Sequence, residues 1–244
     1  MASSVGSAAS RLAYGLQIVG AVAGLFVASA LIGTFVTPHL PSPLRTPVLG
    51  LALWGGVLTG AWMLHLSKTS YAAIGFTRPK SLLTCAVWVV VAIMLSQGGA
   101  LAIGEVLKRM TGWAPLDVGY IRQSIQGNMA AYATWIILVV WGSAAFGEEL
   151  LVRGFIMDRL QGVFGHGVVG ICLAVLGQAA IFGLLHAIQG PAGVLMTAWI
   201  GAVLAGVYFA SGRNLWAPII AHGLMDTASL TLIFLGYHLP GFIH

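Results

Sequence analysis

Residues 168–186 read VVGICLAVLGQAAIFGLLH, a run without a single Asp, Glu, Lys or Arg. Each helical residue advances about 1.5 Å, so a run of this length reaches across most of a hydrocarbon layer about 30 Å thick. Comparable apolar runs lie near 14–36, 47–66, 82–104, 130–152, 192–210 and 215–235, which brings the total to seven. Lipid offers no partner for an open backbone, and long runs rich in Gly and Ala read as helices, not as short alternating barrel strands. The expected fold is all-α: one polytopic transmembrane helical bundle, residues 1–244, of about seven spans within a range of six to eight.

Composition agrees with that reading. Hydrophobic residues make up 59% of the chain and charged residues 7%, and mean hydropathy is +0.95. A soluble domain has about a quarter of its residues charged, so there are too few here to cover a water-facing surface. The formal net charge is +5, but Lys and Arg are scattered among the polar gaps and form no basic patch, which argues against a nucleic-acid partner. Membrane lipid is the implied surroundings. Cys85 and Cys172 both lie inside apolar runs without CxxC spacing and read as small packing residues.

Loop charge gives an orientation. With seven spans and the N-terminus in the cytoplasm, Arg11, Lys68, Arg78, Lys80, Arg153, Arg159 and Arg213 fall on the cytoplasmic side, against Arg45, Lys108, Arg109 and Arg122 opposite. The first run also has features of a secretory signal, with Arg11 before it and Ala28 and Ala30 within it, but it is long for a signal core. The 105–129 gap, with Gly112 and Pro115, has room for a short interfacial helix.

The chain has six acidic residues, Glu105, Asp117, Glu148, Glu149, Asp158 and Asp226, and three stand in or beside apolar runs. A carboxylate at the centre of a bilayer costs at least about 2.5 kcal/mol, so each calls for a partner or a function. In FGEELLVRG, residues 146–154, Glu149 and Arg153 are one helical turn apart and can pair. Glu148 points about 100 degrees away and is free to act as a base. A charged helix end at the interface explains the same spacing as well. In FGLLH, residues 182–186, Phe182 and His186 share a face, so the aromatic could wall a cleft beside the imidazole; alone, the histidine reads as interfacial. In HGLMD, residues 222–226, His222 and Asp226 again share a face, about 10 and 17 Å into their span. Such a pair can bind a metal, orient an oxyanion donor or simply pack the bundle.

Depth links the three. A helix confined to 130–152 would leave Glu148 and His186 near opposite membrane faces. A helix at about 136–160 puts Glu148 about 18 Å above its exit, close to the level of His186, about 24 Å from a start near 170. All four polar residues then reach one cavity. Water activated by Glu148 and His186 could attack a peptide carbonyl beside His222, or the same residues could hold a divalent metal such as Zn2+. Neither HExxH nor GxSxG is present, and Ser143 and Ser211 lack the context of a serine nucleophile.

Together, Glu148-Glu149-x-x-x-Arg153, Phe182-x-x-x-His186 and His222-x-x-x-Asp226 resemble the three motifs of the CAAX prenyl protease and bacteriocin-processing family of intramembrane endopeptidases, in that family's order. The resemblance implies a catalytic core at about 130–235. It implies water activation by Glu148 and His186, a Glu149 braced by Arg153, and His222 with Asp226 completing the site or lining an oxyanion hole. Phe182 would support the second motif. Members have been described both as metalloproteases, which would make Glu148, His186, His222 and Asp226 metal ligands, and as glutamate-dependent enzymes without a catalytic metal. The family's prenyl-protein branch carries Asn where this chain has Asp226, which leaves the role of that position open. The implied setting is the inner (plasma) membrane of a prokaryote, and the implied partner a peptide or membrane-protein substrate. Two rivals share the residue pattern: a proton-coupled or solute transporter, since intramembrane carboxylates and histidines also build relays, and a proteolytically inactive scaffold or immunity factor. The chain lacks the paired halves with broken helices seen in many carriers.

Overall fold

A computed structural model describes residues 7–113, 116–237 and 242–243. Seven segments among them are long and apolar enough to cross a membrane: Ala8–His39, Ser42–Leu66, Leu82–Thr111, Met129–Phe164, Val168–Leu185, Ala187–Ala210 and Trp216–Phe234. The chain is a multi-pass membrane protein with an all-α fold. Its one extended feature among the described residues is a two-residue parallel bridge, Leu116–Asp117 with Phe242–Ile243.

The first span is helix α1, Ala8–Phe35. The second is divided into α2, Ser42–Gly50, and α3, Leu53–Leu66. Pro47 inside α2 removes a backbone donor, and the chain turns at Leu51–Ala52 before continuing. Helix α4, Leu82–Thr111, extends well beyond its apolar run, and α5, Gly119–Ile125, is the short helix for which the following gap left room.

The fourth span is the centre of the bundle. It starts at α6, Met129–Thr134, where the Asn128 side chain accepts the Ala131 N–H as a cap. It continues through the wider π-helical stretch Trp135–Ile156 and ends in α7, Met157–Phe164. The 130–152 boundary is therefore too short. Residues 151–157 are all buried, and the helix runs on because the charges that interrupt its hydropathy are enclosed by protein. Arg153 is fully buried, so it is no loop charge, and setting it aside leaves six basic residues against four.

Around this rod pack α1, α3, α8 (Val168–Leu185) and α10 (Trp216–Phe234), while α9 (Gly190–Ala210) lies against both α4 and α8. Small residues set the closest crossings. A Cβ at Gly24 would come within 2.9 Å of the Gly55 carbonyl oxygen, and one at Gly223 would meet the Trp141 ring at 2.7 Å. Backbones can approach this closely only without a side chain. An odd number of spans separates the ends of the chain. Cysteines introduced at Ser10 and Tyr237, with Cys85 and Cys172 replaced by Ala, should react with a membrane-impermeant reagent from opposite sides; labelling from one side would refute seven crossings.

Candidate functional site

Glu149 and Arg153 form an ion pair inside the rod, with Arg153 Nη1 donating to Glu149 Oε1 at 2.9 Å and both side chains without solvent exposure. The same Oε1 meets His222 Nδ1 of α10, also at 2.9 Å. A carboxylate paired with a guanidinium can only accept, so Nδ1 carries the hydrogen. The other ring nitrogen, Nε2, then faces Glu148 Oε2 at 3.9 Å and Asp226 Oδ2 at 3.5 Å. The carboxylate that fixes the His222 ring is thus Glu149, not Asp226.

His186 stands at the C-terminal end of α8, where its Nδ1 lies 2.8 Å from the Phe182 carbonyl oxygen. A carbonyl accepts, so this nitrogen also donates, and Nε2 of the neutral ring keeps its lone pair. The Phe182 ring packs edge-on against both imidazoles, with centroids 4.8 Å from His186 and 6.3 Å from His222. The Arg153 guanidinium lies 4.2 Å over its centre. Phe182 therefore does more than wall a cleft: one ring touches the cation and both histidines.

Glu148, Phe182, His186, His222 and Asp226 all line one cavity of about 470 Å³. The residues singled out by the three motifs are brought together, Glu149 and Arg153 beneath the cavity and the others on its wall. Their chemistry is that of zinc ligands, yet no group of three or more His, Cys, Asp or Glu among the described residues is arranged to hold an ion. In this arrangement the residues do not fit a metal.

Residues 130–228 match the family described as type II CAAX prenyl endopeptidase Rce1-like. That segment is a domain of the CAAX protease family. It covers less than half of the chain and contains every motif residue from Glu148 to Asp226. The family assignment supports peptide hydrolysis as the general activity of the domain. No curated protein and no solved structure matches the chain.

Several cavity residues escape a search for charges and histidines. Gln97 of α4, Gln189 of the turn between α8 and α9, and Thr197 of α9 lie on its wall. Gln97 had a readable signal, since it interrupts the run 82–104 with a primary amide.

Removing one member of the Glu149–Arg153 pair should leave the other buried without its partner, a loss of about 3–5 kcal/mol. Glu149→Gln and Arg153→Ala should therefore melt clearly below the wild type in detergent, while Glu148→Gln, whose carboxylate forms no hydrogen bond within the protein, should melt close to it. Equal melting temperatures for the three variants would contradict this division.

Proposed function

We propose that the protein is an intramembrane endopeptidase in which Glu148 activates water for attack on a peptide carbonyl. One observation carries the reading: four scarce ionisable residues from three spans share a cavity inside a bundle built mostly of apolar side chains. Glu148 takes a proton from water while the His186 Nε2 lone pair helps hold that water. The hydroxide oxygen adds to the carbonyl carbon, and negative charge develops on the carbonyl oxygen. A His222 ring protonated on both nitrogens keeps its Nδ1–H on Glu149 and offers Nε2–H to that oxyanion, with Asp226 beside it. Collapse breaks the C–N bond as the proton held by Glu148 passes to the leaving amine, giving an acid and an amine.

The matching family is described as a prenyl endopeptidase; for this chain the reading extends to peptide-bond cleavage within the membrane. The six-to-four bias of basic residues supports a cytoplasmic N-terminus, and the family resemblance supports a prokaryotic plasma membrane. With that orientation the connections at 118–121 and 186–189 that line the cavity fall on the side away from the cytoplasm, which argues against a site in the cytoplasmic half of the bundle. Purified protein in detergent should cleave members of a peptide library. Solute flux in liposomes without any cleavage would instead support a carrier.

Glu148→Gln and His186→Ala should each lower kcat by about 10²-fold or more, with smaller changes in KM. His222→Ala should cost about 10²–10³-fold, the usual effect of losing an oxyanion donor, in addition to any loss of stability. Wild-type turnover in Glu148→Gln would remove this residue from the chemistry.

A further inference from the structure

The lining of the cavity beside the polar cluster has two chemically different parts, with the hydroxyls of Thr46, Tyr120 and Ser229 outside both. One is apolar: Val118, Ile121, Trp135, Val140, Leu230 and Ile233 pack as a continuous cluster. The other, built from α4, α9 and the turn Ala187–Gln189, carries Gln97, Gln189 and Thr197. Among the described residues no Lys or Arg lines the cavity, and the lining carboxylates are Glu148 and Asp226.

Gln97 is the informative member. It lies 15 residues beyond Leu82, roughly 22 Å along a 30-residue span, where an unsatisfied amide is costly. An amide at that depth often joins neighbouring helices, as buried Gln178 does here by donating to the carbonyls of Val175 and Gly201. Gln97 has no hydrogen-bond partner among the described residues and is open at the cavity edge, so helix joining does not account for it. Thr197 Oγ1 donates to Gln189 Oε1 at 3.3 Å, which leaves the Gln189 NH₂ as donor and the Thr197 lone pairs as acceptor. With Gln97 supplying one of each, this part of the lining offers both donors and acceptors of the kind an extended main chain needs.

Resting on the endopeptidase reading above, we propose that Gln97, Gln189 and Thr197 hold the substrate main chain next to the cut bond, while the apolar wall takes a bulky uncharged side chain. The substrate is then a peptide segment without charge on either side of the scissile bond. A carboxylate placed on either wall loses its hydration and meets no lining Lys or Arg, and a lysine finds a carboxylate only at Glu148 or Asp226, where pairing would occupy the reacting centre. The neutral wall thus selects by exclusion, and its amides read backbone instead of side chain.

The test takes a peptide that purified wild-type protein cleaves and replaces each residue flanking the cut bond by Lys or Glu. Either charge should lower kcat/KM by at least about 100-fold. Gln97→Leu and Thr197→Val should raise KM about three- to tenfold, more than they lower kcat, as loss of one neutral hydrogen bond implies. Gln97→Glu should recover cleavage of a peptide carrying Lys at one flanking position, a gain that a merely structural role would not produce. Charged peptides cleaved as well as neutral ones, or unchanged KM in both Gln97→Leu and Thr197→Val, would overturn the subsite while leaving the endopeptidase intact. A library that wild-type protein never cleaves would overturn both.

Discussion

One carboxylate oxygen, Oε1 of Glu149, ties three spans together. It accepts from Arg153 in its own helix and from His222 of α10. The guanidinium on the other side of the pair covers the Phe182 ring of α8. Two opposite charges enclosed in protein within an apolar layer gain nothing from water, so their positions are set by one another and by the groups that satisfy them. The cost of separating them is what makes the crossing of the rod, α8 and α10 a fixed geometry. The placing of His222 and Phe182 at the cavity follows from it.

The pair also explains why two adjacent glutamates differ. Glu149 is consumed by Arg153 and His222, and its geometry directs the His222 Nε2 toward the cavity. Glu148, rotated about the same helix, reaches the cavity wall without a hydrogen bond inside the protein. Structural and chemical duties are therefore separated by one step in sequence. Phe182 plays a parallel part for the second imidazole, since its carbonyl fixes the His186 tautomer and its ring touches both histidines.

Much of this was legible in the chain. The seven spans follow from length and hydropathy, and the Glu149–Arg153 pairing follows from one-turn spacing. The depth comparison required helix four to pass through its own charges, and it does so to Phe164. The partner of His222 was not legible: spacing along α10 pointed to Asp226, whereas Glu149 arrives from another helix 73 positions away. Contacts between helices depend on rotation about each axis, and nearly uniform apolar faces carry little information about that rotation. The same limit hid the Arg153–Phe182 contact. The neutral cavity residues were hidden for a different reason, because a glutamine in an apolar run weighs far less on hydropathy than a carboxylate.

Exposure rises stepwise from the anchor to the opening. The Glu149 side chain is 0% exposed, His222 8%, Glu148 19% and Asp226 37%. Rigidity and access have opposite requirements: an ion pair is held best where water is excluded, while hydrolysis needs water at the reacting atom. The gradient meets both, with the ion pair at the dry base, the imidazole whose orientation it sets one step up, and the proposed base where the cavity can admit water. Asp226, at the most open position, acts on Nε2 from the side facing the cavity, where a bound peptide would reduce its hydration. On the proposed mechanism, substrate itself then completes the desolvation of the upper half of the site, strengthening the Asp226–His222 interaction when charge begins to develop on the carbonyl oxygen.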